Sequence, residues 1–166
     1  MRDWLAVRAH ATPRATAIRA AGPVEADSSY AELNDRAETI AGRLAGAGVG
    51  VDDAVAVCAD TRPEFVALVH AVQRLGAVLV PINVRLTAAE IEPRLDRIDP
   101  EVVVCERETE PTVRASTDRP TLSLDTPLEG ASVLSEVSPE PFDLPEWEPA
   151  DPLVVLFTSG TTGEPK

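Results

Sequence analysis

The residues best equipped for chemistry lie together at the end of the sequence, in LFTSGTTGEPK, residues 156–166. Four hydroxyl side chains (Thr158, Ser159, Thr161 and Thr162), two glycines (Gly160 and Gly163) and the only lysine of the chain, Lys166, fall within this stretch. Glycine permits positive φ and close backbone approach, so successive N–H groups can converge on an anion. The hydroxyls add donors, and the ammonium group adds a compact charge suited to phosphate. The loop is therefore equipped for a polyphosphate. It is not a G-x-x-x-x-G-K-[ST] loop, because Pro165 stands where the second glycine is required. AGAGVGV around Gly46 also fails G-x-G-x-x-G, since position 51 is valine and its glycines follow a helix, where they read as a C-cap. A polar hairpin after an edge strand is the alternative reading of any such glycine- and threonine-rich stretch.

Elsewhere the chemistry is sparse. His10 and His70 are the only histidines, and His70 sits beside Val69 in an amphipathic run, where it reads as a packing or surface residue. Cys58 and Cys105 are far apart with no C-x-x-C spacing and read as buried, reduced thiols. No Ser/His/Asp arrangement and no carboxylate pair stands out. Trp4 and Trp147 read as packing anchors.

The elements that must position the loop follow from periodicity. Residues 3–11 suit a short helix, 15–20 a strand and 21–29 a turn. Ser29 with Glu32 forms a capping box for a helix that places Leu33, Ala37, Ile40 and Leu44 on one face until Gly46 and Gly48. AVAVCA (54–59) reads as a buried strand. Thr61 with Glu64 predicts a second capping box, with Phe65, Leu68, Val69 and Val72 inward up to Gly76. AVLVPI (77–82) is the next strand. Thr87 with Glu90 predicts a third box, opening a helix with Ile91, Leu95 and Ile98 inward and a kink at Pro93. EVVVC (101–105) is a further strand, TLSLD (121–125) a short one, and 139–152, with five prolines, an extended connection. LVVLF (153–157) reads as a buried strand that delivers the loop. Apolar strands alternating with amphipathic helices predict an α/β fold, a mostly parallel sheet with helices on both faces.

Composition limits the function classes. The 166 residues carry 28 acids and 15 bases, a formal charge of -13, which argues against nucleic-acid or anionic-lipid partners. The second part is the more acidic, with 14 acids and 4 bases after residue 100. Acid excess with a single lysine resembles salt-adapted proteins, and a GC-rich genome gives the same arginine bias. No apolar run reaches the ~20 residues of a membrane span. The charged N-terminus is unlike a secretory signal, so a cytoplasmic protein is expected.

LFTSGTTGEPK resembles, without a break, the phosphate-binding signature of the adenylate-forming superfamily, which comprises acyl-CoA synthetases, peptide-synthetase adenylation domains and firefly luciferase. SSYAEL (28–33) resembles its T-Y-x-E-L element and LGAVLVPIN (75–83) its G-A-x-x-x-P element, in the same order. The resemblance implies that residues 1–166 are the N-terminal portion of the large AMP-binding domain, with 139–152 as a connection and 156–166 as the phosphate loop. It implies a reaction in which ATP and a carboxylic acid give an acyl-adenylate and pyrophosphate, and CoA then displaces AMP. Thr158, Ser159, Gly160, Thr161, Thr162, Gly163 and Lys166 would grip the ATP phosphates, Thr161 lying near those that carry Mg2+. No direct metal ligand and no catalytic residue is assigned.

DWLAVRAHATPRATAI and LVHAVQRLGAVLVPINVRLTAAEI are most similar to 2-succinylbenzoate-CoA ligases of menaquinone synthesis, with fatty-acid and aryl-acid CoA ligases as alternatives. In that family the adenine and acyl pockets, the ribose-binding aspartate and the lysine of a small C-terminal domain come later in sequence. The 166 residues alone are therefore expected neither to adenylate nor to form thioesters. A non-catalytic nucleotide-binding or interaction domain is the reading from another class, which a stop codon after Lys166 would favour and continuation of the reading frame into an adenine-pocket motif would remove.

Overall fold

A computed structural model describes residues 3–19, 27–128, 130–148 and 150–158. Helix α1, Trp4–Ala11, starts at Asp3, whose carboxylate accepts the Ala6 N–H at 3.0 Å. Strands β1, Thr16–Ile18, and β2, Ser28–Ser29, form a small antiparallel ribbon, so the last two residues of the expected 21–29 turn are paired with Ile18 and Thr16. Helix α2, Tyr30–Gly46, opens on the expected capping box: the Glu32 carboxylate accepts the Ser29 N–H at 2.8 Å, and Ser29 Oγ accepts the Glu32 N–H at 3.3 Å. Its stripe of Leu33, Ala37, Ile40 and Leu44 is buried, and Gly48 follows the helix with φ 98°.

The main sheet has five parallel strands: β3 (Ala54–Cys58), β4 (Val78–Pro81), β5 (Val102–Cys105), β6 (Thr121–Ser123) and β7 (Ser132–Val133), in the order β4-β3-β5-β6-β7. Alternate residues face opposite sides, as pleat geometry requires. Val55, Val57, Leu79, Val102 and Val104 pack with the buried faces of α2 and of α3, Pro63–Arg74. Ala56, Cys58, Val80, Val103 and Cys105 pack under α4, Ala88–Ile98, and α5, Glu110–Arg114. Helices cover both faces, and the fold is α/β as expected.

Four local expectations change. Thr61 and Glu64 form no capping box: α3 begins after Arg62, which makes no side-chain cap, with Pro63 in its first turn. Proline removes one of the orphan N–H donors, and the Glu64 carboxylate instead accepts from Arg62 Nε at 2.9 Å. On α3, Leu68 and Val72 are buried, while Phe65 and Val69 are half-buried against the same core. Helix α4 runs through exposed Pro93 and ends at left-handed Asp99, φ 52°. LVVLF is not buried: Val154 and Leu156 are 40% and 63% exposed, because the segment lies at the open edge beside β4. Residues 138–148 form no helix or strand, and Ala150 and Asp151 turn, with the Asp151 N–H donating to the Glu148 carbonyl at 3.2 Å. Three elements carry little periodic signal because they are so short: α5, β7 and a 3-10 turn at Leu134–Glu136. Among the described residues no helix is long and apolar enough to cross a membrane.

Candidate functional site

The segment that leads to the glycine- and threonine-rich loop runs parallel to β4. Leu79 N–H donates to the Leu153 carbonyl at 3.1 Å, and Val155 N–H donates to the Leu79 carbonyl at 2.9 Å. Val155 and Phe157 turn toward the core under α4, where the Arg94 guanidinium lies 5.8 Å from the Phe157 ring centroid. Thr158 follows, exposed, at the carboxyl end of this segment. Ser159, Gly160, Thr161, Thr162, Gly163 and Lys166 lie outside the described residues. The direction of the segment is nevertheless fixed: parallel pairing brings Thr158 out on the same side as the carboxyl ends of β3 to β7, where ligands of open α/β sheets bind.

The crevice between β3 and β5 is the reversal point of this sheet, since β3 leads to β4 on one side and β4 returns to β5 on the other. It is filled by the chain's own charges. Arg62 grips Asp125 with two hydrogen bonds, 2.9 and 3.0 Å, and lies 3.6 Å from a Glu106 oxygen. The other Glu106 oxygen accepts the Asp60 N–H at 3.0 Å, while Thr109 Oγ1 donates to the Cys58 carbonyl at 2.6 Å. The hydrogen bonds from Arg62 hold the Asp125 carboxyl below its ordinary range and raise the guanidinium further. These residues tie together the loops after β3, β5 and β6. Sequence reading passed over them, although an acid follows each of those apolar runs at Asp60, Glu106 and Asp125.

The remaining polar candidates serve packing. His70 is buried edge-on against Trp4, ring centroids 4.8 Å apart, and burial lowers its pKa. Arg74 is buried and satisfied by Asp3 at 2.7 Å, Glu38 at 3.0 Å and the Asn34 side chain at 2.6 Å. Burial pushes the thiols of Cys58 and Cys105 up to about 11 and about 12, so both stay protonated and unreactive at neutral pH. Among the described residues no cluster of His, Cys, Asp and Glu is arranged to hold a metal ion.

The sequence pattern of the AMP-binding enzymes matches residues 5–166. The 2-succinylbenzoate-CoA ligase of Listeria monocytogenes is 30% identical over 167 residues, covering 100% of this chain and 32% of the ligase. A feruloyl-CoA synthase of Amycolatopsis is 34% identical over 164 residues, covering 99% of this chain and 32% of the synthase. Among solved structures, the O-succinylbenzoate coenzyme A synthetase of Bacillus subtilis in complex with AMP superposes with a TM-score of 0.78 at 26% identity, over 98% of this chain and 40% of that one. The chain thus spans about a third of the length of the curated relatives it matches.

Proposed function

Because the chain belongs to the AMP-binding enzyme family, we propose that it supplies the phosphate-gripping part of an ATP-dependent acid-CoA ligase. The observation that carries this reading is the match over residues 5–166, which takes in a polyphosphate-suited loop placed after a segment parallel to β4. In the proposed reaction a carboxylate oxygen attacks the α-phosphorus of ATP and pyrophosphate leaves, forming an acyl-adenylate. The CoA thiol then attacks the acyl carbon, loses its proton and expels AMP, forming the thioester.

In the first step this chain would act on the leaving pyrophosphate. Thr158, Ser159, Thr161 and Thr162 would donate hydrogen bonds, Gly160 and Gly163 would let the backbone approach, and Lys166 would balance charge as it develops. Mg2+ would supply further counter-charge, carried on the phosphates near Thr161. Residues 1–166 would form part of the AMP-binding large domain, with 139–152 as its extended connection.

For the acid we propose 2-succinylbenzoate, supported by the 30% identity to the Listeria ligase across the whole chain. An aryl acid such as ferulate is the second reading, favoured by the 34% identity to the Amycolatopsis synthase. Acid-dependent exchange of labelled pyrophosphate into ATP by the intact protein tests both. We expect exchange with 2-succinylbenzoate above ferulate, indoleacetate and a fatty acid. Preference for ferulate would select the second acid, and no exchange with any acid would favour a non-catalytic domain. Exchange should fall by about 10²–10³-fold in Lys166→Ala, the range for losing one preorganised stabilising group. The 166 residues alone should give no exchange.

A further inference from the structure

Helix α3 carries the chain from the carboxyl end of β3 back to the amino end of β4, so its C-terminal turns lie at the end of the sheet away from Thr158. There α1, α3 and residues 144–147 border a cavity of about 380 Å³, a volume suited to a small organic molecule. Its walls are mostly apolar, from Trp4 and Val7 on α1 and from Leu144, Pro145 and Trp147. Trp4, Val7 and Leu144 are each more than half exposed, so the cavity is open to solvent. Among its polar groups Asp3 and Arg74 are already engaged. The Asp3 carboxylate accepts from Arg74 Nε at 2.7 Å and from the Ala6 N–H at 3.0 Å, and Asn34 and Glu38 accept from the other guanidinium nitrogens. His70 and Gln73 differ. His70 is only 7% exposed and packs edge-on against Trp4, yet among the described residues neither ring nitrogen has a hydrogen-bond partner, and neither is sealed from solvent. The half-buried Gln73 amide is likewise without a partner among the described residues. Burial holds the His70 pKa below its ordinary value, so at neutral pH the ring is uncharged, with one donor and one acceptor nitrogen.

We propose that this cavity binds a neutral aromatic molecule carrying a hydroxyl group, its ring against Trp4, Val7 and Leu144 and its hydroxyl hydrogen-bonded to His70 and Gln73. A hydroxyl both donates and accepts, which matches an uncharged imidazole beside a carboxamide. A ring in the ligand adds edge-on or offset contacts with the indole to the burial of apolar area. An anion is disfavoured, because the only cationic side chain in the lining, Arg74, is paired, and exposed Asp143 and Glu146 flank Leu144 and Pro145. A cation would meet no free carboxylate in the lining, since both oxygens of Asp3 are engaged. The bound molecule would bridge α1 and α3 to the connection that leads to residues 153–157.

The probe is 2-naphthol, titrated into the intact protein, with 2-naphthoate and 2-naphthylmethylammonium as anionic and cationic counterparts of the same ring. The Trp4 indole and His70 imidazole resonances are followed by NMR. A saturable, sub-millimolar shift of both is expected with 2-naphthol, and several-fold weaker binding with either ion. His70→Phe and Gln73→Leu, which keep the bulk and remove the polar contacts, should each weaken 2-naphthol several-fold, read at Trp4. Leu144→Glu, at an exposed position, should also weaken it by placing a charge at the mouth, so the test stands even where a His70 variant fails to fold. Resonances of Trp4 and His70 that do not move with 2-naphthol overturn the proposal. So does an ion that binds as tightly as 2-naphthol, or parental affinity in both Gln73→Leu and Leu144→Glu.

Discussion

Asp125 joins three loops through a single carboxylate. It receives both guanidinium hydrogen bonds of Arg62 and also the Arg107 N–H at 3.2 Å, so it fastens the loop after β6 to those after β3 and β5. Its side chain is 28% exposed and that of Arg62 26%, so the pair is partly shielded from water. Hydrogen bonds between charged groups contribute roughly 1.5–3 kcal/mol, and Asp125→Asn should lower unfolding free energy by about 1–3 kcal/mol, read from the denaturant midpoint. The pH dependence follows from the depressed carboxyl pKa, whose largest cause is the hydrogen bonding to Arg62. A folded pKa below the unfolded value means that this stability is fully present above the ordinary 3.8 and lost as pH falls through the folded pKa. The variant should therefore differ most from the parent above about pH 5 and converge on it in acid. A constant difference down to pH 2 would mean that the pair stabilises by packing, not charge.

At the scale of elements, Gly46 decides how the end of α2 meets the chain that follows the 3-10 turn. A Cβ built there would stand 2.0 Å from the Ser138 carbonyl oxygen, a backbone atom and not the end of a flexible side chain, so the chain at Ser138 would have to shift. Alanine would gain about 1 kcal/mol of helix propensity, yet forced displacement of packed backbone costs typically 1–3 kcal/mol. Gly46→Ala should therefore lower the melting temperature, and an unchanged or raised value would show that the 137–139 segment yields freely. This close approach was not legible in the sequence, where Gly46 reads only as a stop signal.

Legibility elsewhere followed the range of the interaction. The Ser29–Glu32 box and the buried stripe of α2 are written within a few residues, and both are present. At Thr61 the same spacing is overridden by Arg62, whose partner Asp125 lies 63 residues away. LVVLF has the composition of a central strand, but whether such a strand is covered depends on its neighbours, and here only β4 pairs with it among the described residues. The glycine- and threonine-rich stretch reads as phosphate-suited from its residue types, whereas the direction of the segment before it, residues 153–158, rests on the parallel bridge between Leu79 and Val154. The Arg62 cluster joins residues from three separate stretches, so no window of sequence contains it.

At the scale of the whole molecule, a formal charge of -13 on 166 residues sets up repulsion that folding concentrates. Raising sodium chloride from about 0.05 to 1 M shortens the screening length from above 10 Å to about 3 Å, and the melting temperature should rise. A melting temperature that falls with salt would mean that the local ion pairs of Arg62 and Arg74 outweigh the general repulsion. Exposed apolar residues include Val154 at 40% and Leu156 at 63% beside β4, and Leu144 at 62% near Trp4 and Val7.

The two backbone hydrogen bonds that tie residues 153–155 to Leu79 also separate two kinds of rigidity. The five-stranded body can be made firmer by any of its buried contacts, whereas the segment ahead of the loop is held by these two bonds and by the half-buried packing of Val155 and Phe157 under α4. Its amides should exchange with solvent through small local openings, not through global unfolding. Strengthening the core would then raise the melting temperature without firming the segment ahead of the proposed phosphate loop, because the two are held at different places in the chain.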